Sequence, residues 1–345
     1  MKNNILLWGA LAAAAFLLAW LLTAALRRYA LAHHVIDMPN ERSSHTIPTP
    51  RGGGVAIVAS FLLLLPILAL LGWVNGPAAW GVGGAGLGVA VLGFLDDHGH
   101  IAARWRLLGH FAASAWVLFW LEGLPALPAF GYQWDIGLLG YVAAALYLVW
   151  LLNLYNFMDG IDGIASIEAI FVALGGASFY IMAGNDGLAA APLILACAVG
   201  GFLCWNFPPA KIFMGDAGSG FLGIVLGTLA LQAAWVAPEL FWAWLILLGV
   251  FIVDASLTLF RRLLRGEKVY EAHRTHAYQW AARRFGRHLP VTLGVAGLNI
   301  CWLYPVAWCV ATGRLDGGVG IVLAYFPLVL LALKFQGGRA ESAAA

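Results

Sequence analysis

Charge is scarce in this sequence. Only 10% of its 345 residues are Asp, Glu, Lys or Arg, whereas 62% are hydrophobic and the mean hydropathy is +0.84. Because a soluble domain typically has about 25% charged residues, this composition excludes an ordinary soluble globular protein. It predicts an all-α, polytopic integral membrane protein with a single domain over residues 1–345.

Cysteine is scarce as well. The chain has only Cys197, Cys204, Cys301 and Cys309, and each lies inside an apolar run. None of them has the CxxC spacing of a zinc or redox site. We therefore predict that they act as small buried hydrophobic residues, without a disulfide or a zinc site.

Long apolar runs, in contrast, are abundant, and a bilayer is crossed by about 20 apolar residues. The first run is too long for the core of a signal peptide, and Arg27 and Arg28 follow it rather than precede it. We predict about 11 transmembrane helices, at residues 5–26, 55–72, 78–95, 107–121, 137–157, 164–183, 188–205, 219–236, 240–260, 291–311 and 318–334.

The basic residues predict the orientation of these spans. Of the 19 Lys and Arg residues, 17 lie in loops after odd-numbered spans or after the last span. The opposite side has only Lys2 and Arg314. Because basic residues stay on the cytoplasmic side, we predict an outside N-terminus and a cytoplasmic C-terminus.

Nearly all unusual polar residues fall on the predicted cytoplasmic side. Carboxylates, histidines, arginines and glycine-rich turns are concentrated in five inside loops, at residues 27–54, 96–106, 158–163, 206–218 and 261–290. Solvated loops would not require this mixture. We therefore expect the five loops to form one active site at this membrane face.

The carboxylates in these loops have spacings that suit phosphate and metal chemistry. Adjacent Asp96 and Asp97 at a helix end point about 100° apart, so one can face a metal while the other faces a substrate or an arginine. Asp159 and Asp162 would share a helix face. Asp216 lies just before span eight, in a segment whose glycine and serine amides suit phosphate oxygens. Carboxylates, water and phosphate oxygens are the usual ligands of Mg²⁺.

Each motif alone also has a plain structural explanation. The Asp96-Asp97 pair could lie in a solvated loop, and the segment around Asp216 could be only a helix cap. Asp254 could be the buried partner of an arginine. His288 and the other scattered histidines suggest surface or interfacial residues. Gly160 and Gly163, however, would leave room beside the acids for a bulky ligand, and the five loops share one side.

The loop at 261–290 is the most basic segment and has aromatic residues between its charges. It is typical of an interfacial stretch attracted to anionic lipid heads. The alternative is a lid whose His273, Arg274 and His276 contact a polyanionic substrate, since arginine pairs well with phosphate oxygens. A nucleic-acid partner is not expected, because the basic surface is small and lies against the membrane.

Five motifs in this order resemble a known family. They are "PTPRGGG", "GFLDD", "NLYNFMDGIDG", "NFPPAKIFMGDAGSGFLG" and the basic, histidine-containing last loop. The sequence resembles the polyprenyl-phosphate N-acetylhexosamine-1-phosphate transferases (glycosyltransferase family 4), and within them the branch that initiates O-antigen synthesis. The resemblance covers roughly residues 37–280.

The resemblance implies a reaction at the bacterial inner membrane. Undecaprenyl phosphate in the inner leaflet would attack the β-phosphorus of a UDP-N-acetylhexosamine of the GlcNAc, FucNAc or QuiNAc type, and UMP would leave. Mg²⁺ would be required, with Mn²⁺ able to substitute. A homodimer would also agree with this family.

The resemblance also implies site residues. The implied metal ligands are Asp216 and Asp162. The implied catalytic residues are Asp96, Asp97, Asp159, Asp162 and His276. The implied substrate-binding residues are His45, Arg51, Asn156, Asn206, Phe213 and Arg274.

Some of these residues have more specific implied roles. Phe213 would stack on the uracil, which Asn206 would also hold. His45 and Arg51 would contact the diphosphate or the lipid phosphate, and His276 would bind the diphosphate.

The sequence departs from the family pattern at two places. His276 is followed by Ala277, Tyr278 and Gln279, so a second histidine of the last-loop motif is missing. The acidic pair is not followed by the usual third acid.

Three other functions stay open. The first is a lipid I-forming UDP-MurNAc-pentapeptide phosphotransferase. The second is a secondary transporter, although such proteins keep ionisable residues near the bilayer midplane. The third is a scaffold with a degenerate site.

Overall fold

The structure is a computed structural model that describes residues 2–39, 47–99, 101–268 and 273–340. The described chain is mainly helical. Its helices are α1 Lys2–Ala32, α2 Val55–Leu70, α3 Gly76–His98, α4 Ala103–Leu121, α5 Leu139–Met158, α6 Ile164–Met182, α7 Ala190–Asn206, α8 Asp216–Val236, α9 Pro238–Leu247, α10 Gly249–Leu264, α11 Ala277–Phe285, α12 Leu289–Leu298, α13 Tyr304–Ala311 and α14 Gly317–Lys334. Two short antiparallel pairs join β1 Ile36–Asp37 to β2 Thr49–Pro50 and β3 Leu127–Ala129 to β4 Tyr132–Trp134.

Eight helical segments in the described part are long and apolar enough to cross a membrane. They are α1, α3, α5, α6, α7 with the 3₁₀ turn before it, α8, α12 continued through a π-helical turn into α13, and α14. The predicted second and fourth spans correspond to α2, which has only 16 residues, and to α4. The structure is therefore that of an all-α, multi-pass membrane protein.

The predicted ninth span is not one straight helix. It consists of α9 and α10, which meet at Leu248 with a bend of 69°. Within the membrane, such a break is tolerated where the freed backbone groups are buried in protein. Residues on both sides of the break, from Ile246 to Gly249, are buried.

Helix α8 is the centre of the bundle and packs against α3 and α5. Of the most apolar 18-residue stretch of α8, 89% is buried inside the protein. Glycines permit this close packing: a Cβ on Gly93 of α3 would lie 2.5 Å from the carbonyl carbon of Asp216, and one on Gly223 would overlap the backbone at Leu152. The C-terminal ends of α3 and α5 therefore meet the N-terminal end of α8.

The loop before α8 is joined to the strand before α2. The backbone N–H of Phe213 donates to the carbonyl of Pro50 at 2.8 Å, and the N–H of Gly53 donates to the carbonyl of Phe213 at 2.9 Å. Gly54 then packs against Gly218 so closely that a Cβ would lie 2.5 Å from the Gly218 Cα. These contacts bring Arg51 to the start of α8.

Helix α11 is fastened to the end of the bundle by two neighbouring segments. The Asp254 carboxylate on α10 accepts the backbone N–H groups of Ala277 and Tyr278, both at 2.9 Å. Asp254 is thus a cap of α11, so the expectation that it pairs with an arginine was wrong. On the other side, the N–H of Gly338 donates to the carbonyl of Thr275 at 2.7 Å.

Candidate active site

Four of the five inside segments line a cavity of about 230 Å³ between the C-terminal end of α5 and the N-terminal end of α8. The segment 96–106, with the predicted Asp96 and Asp97, contributes no lining residue, although Asp97 contacts Arg51 and the start of α8. Most of the predicted site residues line it. The lining residues are Asp37, Arg51, Asn156, Asp159, Gly160, Ile161, Asp162, Asn206, Phe213, Met214, Gly215, Asp216, Ser219, Gln279 and His288. We call this space the acidic cavity.

Arg51 joins two of the predicted acids. Its Nη2 lies 2.5 Å from Asp97 Oδ1 and 3.0 Å from Asp216 Oδ1. Burial opposes the charge of Arg51, but the carboxylates of Asp97 and Asp216 outweigh it and raise the pKa of the guanidinium. Two carboxylate oxygens therefore converge on one positive charge.

The N-terminal amides of α8 are already hydrogen-bonded within the protein. Asp97 Oδ1 accepts the N–H of Asp216 at 3.1 Å, and Asp97 Oδ2 accepts that of Ala217 at 3.4 Å. The amides of Gly218 and Ser219 both donate to the carbonyl of Gly215 at 3.1 Å. The expectation that these amides form a phosphate cradle is therefore not met, because Asp97 is the anion at this helix end.

The adjacent acids diverge as expected. Asp96 Oδ2 lies 2.5 Å from Arg106 Nη1, and Asp96 Oδ1 accepts the N–H of Ile101. Asp97 instead contacts Arg51. Asp216 is the most accessible of the three, with a side chain 25% exposed against 7% for Asp96 and 4% for Asp97. A ligand entering the cavity would therefore meet Asp216 first.

The segment from Asp159 to Gly163 is a turn rather than a helix. Helix α5 ends at Met158, and Gly163 has a φ of +73°. The prediction that Asp159 and Asp162 share a helix face was therefore wrong. Asp159 lines the acidic cavity, where burial and then the nearby charge of Asp216 raise its pKa well above the usual range.

The space beside Gly160 is filled by this chain and not left for a ligand. The Tyr278 hydroxyl donates to the carbonyl of Phe157 at 3.0 Å, and a Cβ on Gly160 would overlap that hydroxyl. The absence of a side chain at Gly160 thus lets α11 pack on the turn. The expectation of room for a ligand at Gly160 was wrong.

Asn156 and Asn206 both face the cavity but differ in their bonds. Asn156 donates to the Ser219 hydroxyl at 3.2 Å and so joins α5 to α8. Asn206 is 3% exposed, and its Oδ1 accepts the N–H of Gly163 while its Nδ2 donates to the carbonyl of Ile212, both at 3.0 Å. The amide of Asn206 therefore holds two loops together.

His276 lies outside the lining of the acidic cavity. Its side chain is about 2% exposed, and its ring stacks on those of His273 and Tyr278, with centroids 4.8 and 5.7 Å away. Gln279, one turn further along α11, lines the cavity instead. The structure does not bring His276 to the predicted diphosphate position. The predicted His45 lies outside the described residues.

A second, larger cavity of about 590 Å³ continues from the first. The two share Asp162, Phe213, Gln279 and His288 as lining residues. The second cavity is rich in arginine, with the predicted Arg274 beside Arg283 and Arg287. We call it the basic cavity. The acidic and basic cavities together form one continuous site.

His288 is the residue that the sequence did not identify. Its Nδ1 lies 3.1 Å from Asp162 Oδ1, and it lines both cavities. The signal in the sequence was weak: a histidine two residues before Pro290, at the start of an apolar run on the acid-bearing side. That pattern fits an interfacial residue equally well.

The carboxylates of Asp216 and Asp97 fit a magnesium ion whose other ligands come mainly from the substrate and water. Among the described residues, no group of three or more His, Cys, Asp and Glu side chains is arranged to hold a metal. Magnesium commonly uses only one or two carboxylates together with phosphate oxygens and water. Asp216 and Asp97, whose oxygens converge on one nitrogen of Arg51, provide carboxylate oxygens of that kind.

Comparison with known proteins shows what this chain is similar to. A sequence profile described as glycosyl transferase family 4 matches residues 79–234. A phospho-N-acetylmuramoyl-pentapeptide-transferase of Desulforudis audaxviator is 30% identical over 294 residues, which are 73% of this chain and 85% of the relative.

Two further relatives have names that specify a lipid acceptor and a sugar. A Bacillus subtilis protein, named a probable undecaprenyl-phosphate N-acetylglucosaminyl 1-phosphate transferase, is 28% identical over 267 residues, covering 75% of this chain and 72% of the relative. A decaprenyl-phosphate N-acetylglucosaminephosphotransferase of Mycolicibacterium smegmatis is 32% identical over 246 residues, covering 64% of this chain and 57% of the relative.

Proposed function

This chain belongs to glycosyl transferase family 4, and we propose that it transfers an N-acetylhexosamine 1-phosphate from a UDP donor to undecaprenyl phosphate. The lipid phosphate oxygen bonds to the β-phosphorus of the donor, the bond from that phosphorus to the bridging oxygen breaks, and UMP leaves with that oxygen. The product is undecaprenyl-diphospho-sugar. The names of the B. subtilis and M. smegmatis relatives support this assignment.

The observation that carries the proposal is the pairing of acids with arginines at one end of the bundle. Arg51 contacts Asp97 and Asp216, and these three residues come from separate segments, whereas Arg106 contacts Asp96 within the segment 96–106. Phosphoryl transfer requires charge neutralisation and in-line positioning more than covalent help. A site with both charges can hold two phosphorylated reactants that would otherwise repel each other.

The residues of the site have distinct roles in this reaction. Asp216 would hold Mg²⁺, or Mn²⁺ in its place, which would supply positive charge for the transferring phosphoryl group. Arg51 neutralises phosphate charge from the α2 side of the cavity, and the arginines of the basic cavity bind the rest of the donor. Phe213, which lines both cavities, is placed to stack on the uracil.

The presence of an apolar groove supports the proposal that the acceptor is a polyprenyl lipid. It has a volume of about 640 Å³ and lies between α5, α10 and α14, with Trp150, Phe260 and Val329 among its lining residues. Trp150 is eight residues before Met158, or about 12 Å along α5. A lipid chain in this groove would have its phosphate near the end of α5, beside the acidic cavity.

We further propose that the site faces the cytoplasm of a bacterial inner membrane, with about 11 spans and an outside N-terminus. The support is that 17 of the 19 basic residues fall in the predicted inside loops or after the last span, and these same loops supply most of the lining of the acidic cavity. A nucleotide-sugar donor is cytosolic, so this orientation brings donor and acceptor together. Initiation of O-antigen or a related surface polysaccharide would be the role.

The test is a donor panel with purified protein. UDP-GlcNAc, UDP-FucNAc and UDP-QuiNAc are each incubated with undecaprenyl phosphate and Mg²⁺, and UMP release and the mass of the lipid product are measured. We expect UMP and a diphospho-sugar lipid with at least one donor, and neither product from Asp216→Asn. Failure with every donor would favour the transporter alternative.

The similarity to phospho-N-acetylmuramoyl-pentapeptide-transferases supports a second candidate, formation of lipid I. The D. audaxviator relative is matched over 85% of its length. UDP-MurNAc-pentapeptide in the same assay separates the two candidates. A product only from this donor would assign the lipid I reaction to the chain.

A further inference from the structure

We propose that His288 binds the nucleoside part of the donor and that Asp162 acts by orienting His288 rather than by binding the metal. This inference rests on the proposed function, because it assigns residues to the UDP-sugar donor. It reverses the metal-ligand role that the family resemblance implies for Asp162. The geometry of Asp162 is the first reason.

Both carboxylate oxygens of Asp162 already have partners within the protein. Oδ2 accepts the backbone N–H of Ala210 at 3.0 Å, and Oδ1 lies 3.1 Å from His288 Nδ1. The carbonyl of Asp162 accepts the Thr292 hydroxyl at 2.8 Å. The carboxylate contacts occupy one acceptor site on each oxygen, so a cation at Asp162 would have to share these oxygens with Ala210 and His288.

Asp216 is the better cation ligand when the two acids are compared. The Asp216 side chain is 25% exposed, whereas that of Asp162 is 12% exposed. The partners of Asp216 are the ends of Arg51 and Arg106, which are flexible side chains that can move aside. One partner of Asp162 is the backbone amide of Ala210, which cannot move aside without moving the loop, and the other is the ring of His288.

The contact with Asp162 gives the His288 ring a fixed direction. The backbone N–H of Asp162 lies 3.3 Å from the same Nδ1 atom, which accepts that hydrogen bond only when it carries no proton and donates to the carboxylate only when it does. In either tautomer the ring is held by Asp162, and the proposed tautomer is the one in which Nδ1 donates to the carboxylate. Thr292, one turn further along α12, fixes the same stretch of backbone. A carboxylate that holds one imidazole nitrogen orients the rest of the ring toward its ligand.

The position of His288 indicates which part of the donor it meets. The acids and Arg51 occupy the acidic cavity, where the diphosphate and its metal belong. His288 lies on the wall shared with the basic cavity, together with the aromatic ring of Phe213. An aromatic face suits a base, and His288 Nε2, which is an acceptor while Nδ1 donates to Asp162, suits the ring N–H or the ribose hydroxyls of uridine.

The test measures binding by calorimetry on the full-length protein in detergent, with UMP, uridine and Mn²⁺ as separate probes. His288→Asn keeps an N–H near the Nδ1 position, so the contact with Asp162 survives while the rest of the ring is lost. His288→Gln places an amide oxygen, which is also an acceptor, near the Nε2 position instead. His33→Asn, at an exposed ring that bonds only locally to Tyr29, is the matched control.

We expect His288→Asn to lower the affinity for both UMP and uridine by about tenfold or more, with the affinity for Mn²⁺ unchanged. His288→Gln should retain more UMP affinity than His288→Asn. Asp162→Asn should lower the affinity for UMP but not that for Mn²⁺. Asp216→Asn should lower the affinity for Mn²⁺. The His33→Asn control should bind every probe as the wild type does.

Two results would overturn the inference without affecting the proposed function. One is wild-type UMP affinity in His288→Asn, and the other is a loss of Mn²⁺ affinity in Asp162→Asn comparable to that in Asp216→Asn. If uridine affinity is unchanged in His288→Asn while UMP is weakened, His288 contacts the phosphate and the nucleoside assignment is wrong. A wild-type protein that binds no UMP would instead overturn the proposed function.

Discussion

The carboxylate of Asp97 accepts the backbone N–H of Asp216 at 3.1 Å, across 119 residues of sequence. Arg51 contacts the side chains of both. Two carboxylates so close repel each other unless a positive charge lies between them. The relationship therefore joins the ends of α3 and α8, and leaves the more exposed Asp216 facing the cavity.

The first prediction concerns Asp216. Asp216→Asn keeps the shape of the side chain but removes the charge that would hold a divalent cation. We expect UMP release to fall by about a hundredfold or more, since charge stabilisation at the transferring group is lost. The control is Asp135→Asn, an exposed aspartate that bonds only to the nearby Gly137 amide, which should keep wild-type activity. More than a tenth of wild-type activity in Asp216→Asn would contradict the assignment.

The second prediction concerns Arg51 and stability. Arg51→Ala leaves the 4% exposed Asp97 side chain close to Asp216 without their shared counter-charge. We expect a loss of about 3 kcal/mol in the free energy of unfolding, because a buried charge loses its partner. Adding Asp97→Asn should recover part of this loss, and a double-mutant cycle on thermal unfolding measures the coupling. Simple additivity of the two changes would show that the pair does not interact.

The third prediction compares two glycines on α3. A Cβ at Gly93 would lie 2.5 Å from the backbone of Asp216, whereas one at Gly88 meets nothing within 4 Å. We expect Gly93→Ala to lower both thermal stability, by about 1–3 kcal/mol, and transfer activity, because α3 must move away from α8. Gly88→Ala should leave activity unchanged and should not lower stability. Equal behaviour of the two variants would contradict the packing at Gly93.

The fourth prediction concerns acid sensitivity. Burial, followed by the nearby His276 and Arg262, lowers the pKa of His273 to about 3 from an ordinary value of 6.5. The unfolded chain therefore binds a proton that the folded chain does not, and stability falls as the pH drops below about 6.5. The slope is at most about 1.4 kcal/mol per pH unit, and less because the ring is only partly buried.

The measurement for His273 is the thermal midpoint of the wild type and of His273→Asn between pH 7 and pH 4. The variant lacks the titrating ring, so its midpoint should fall less steeply with acid. A parallel fall in both proteins would show that His273 does not contribute.

The positions of the helices followed from the sequence because a membrane leaves the backbone few choices. Apolar runs of sufficient length must satisfy their own backbone hydrogen bonds, and a helix does this within one segment. The divergence of Asp96 and Asp97 also followed, since adjacent residues of a helix always point in different directions. The end of α5 was predicted to within one residue, but the conformation of the residues after it was not, so the helix face assigned to Asp159 and Asp162 was wrong.

Contacts between distant segments were beyond sequence reasoning. Gly160 lacks a side chain because Tyr278, from another loop, occupies that space. Asp254 is buried because two amides of α11 require its carboxylate. His288 has no local pattern that separates a site residue from an interfacial one, and only its contact with Asp162 distinguishes it.

The most direct test of the central claim follows the β-phosphorus of the donor. Wild-type protein is given undecaprenyl phosphate, Mg²⁺ and a UDP-N-acetylhexosamine radiolabelled at that phosphorus, and the label is located after extraction of the lipid. Transfer of a sugar 1-phosphate predicts label in the lipid, in equal amount to the UMP released. Label that stays with the nucleotide as UDP, while the sugar alone reaches the lipid, would contradict it.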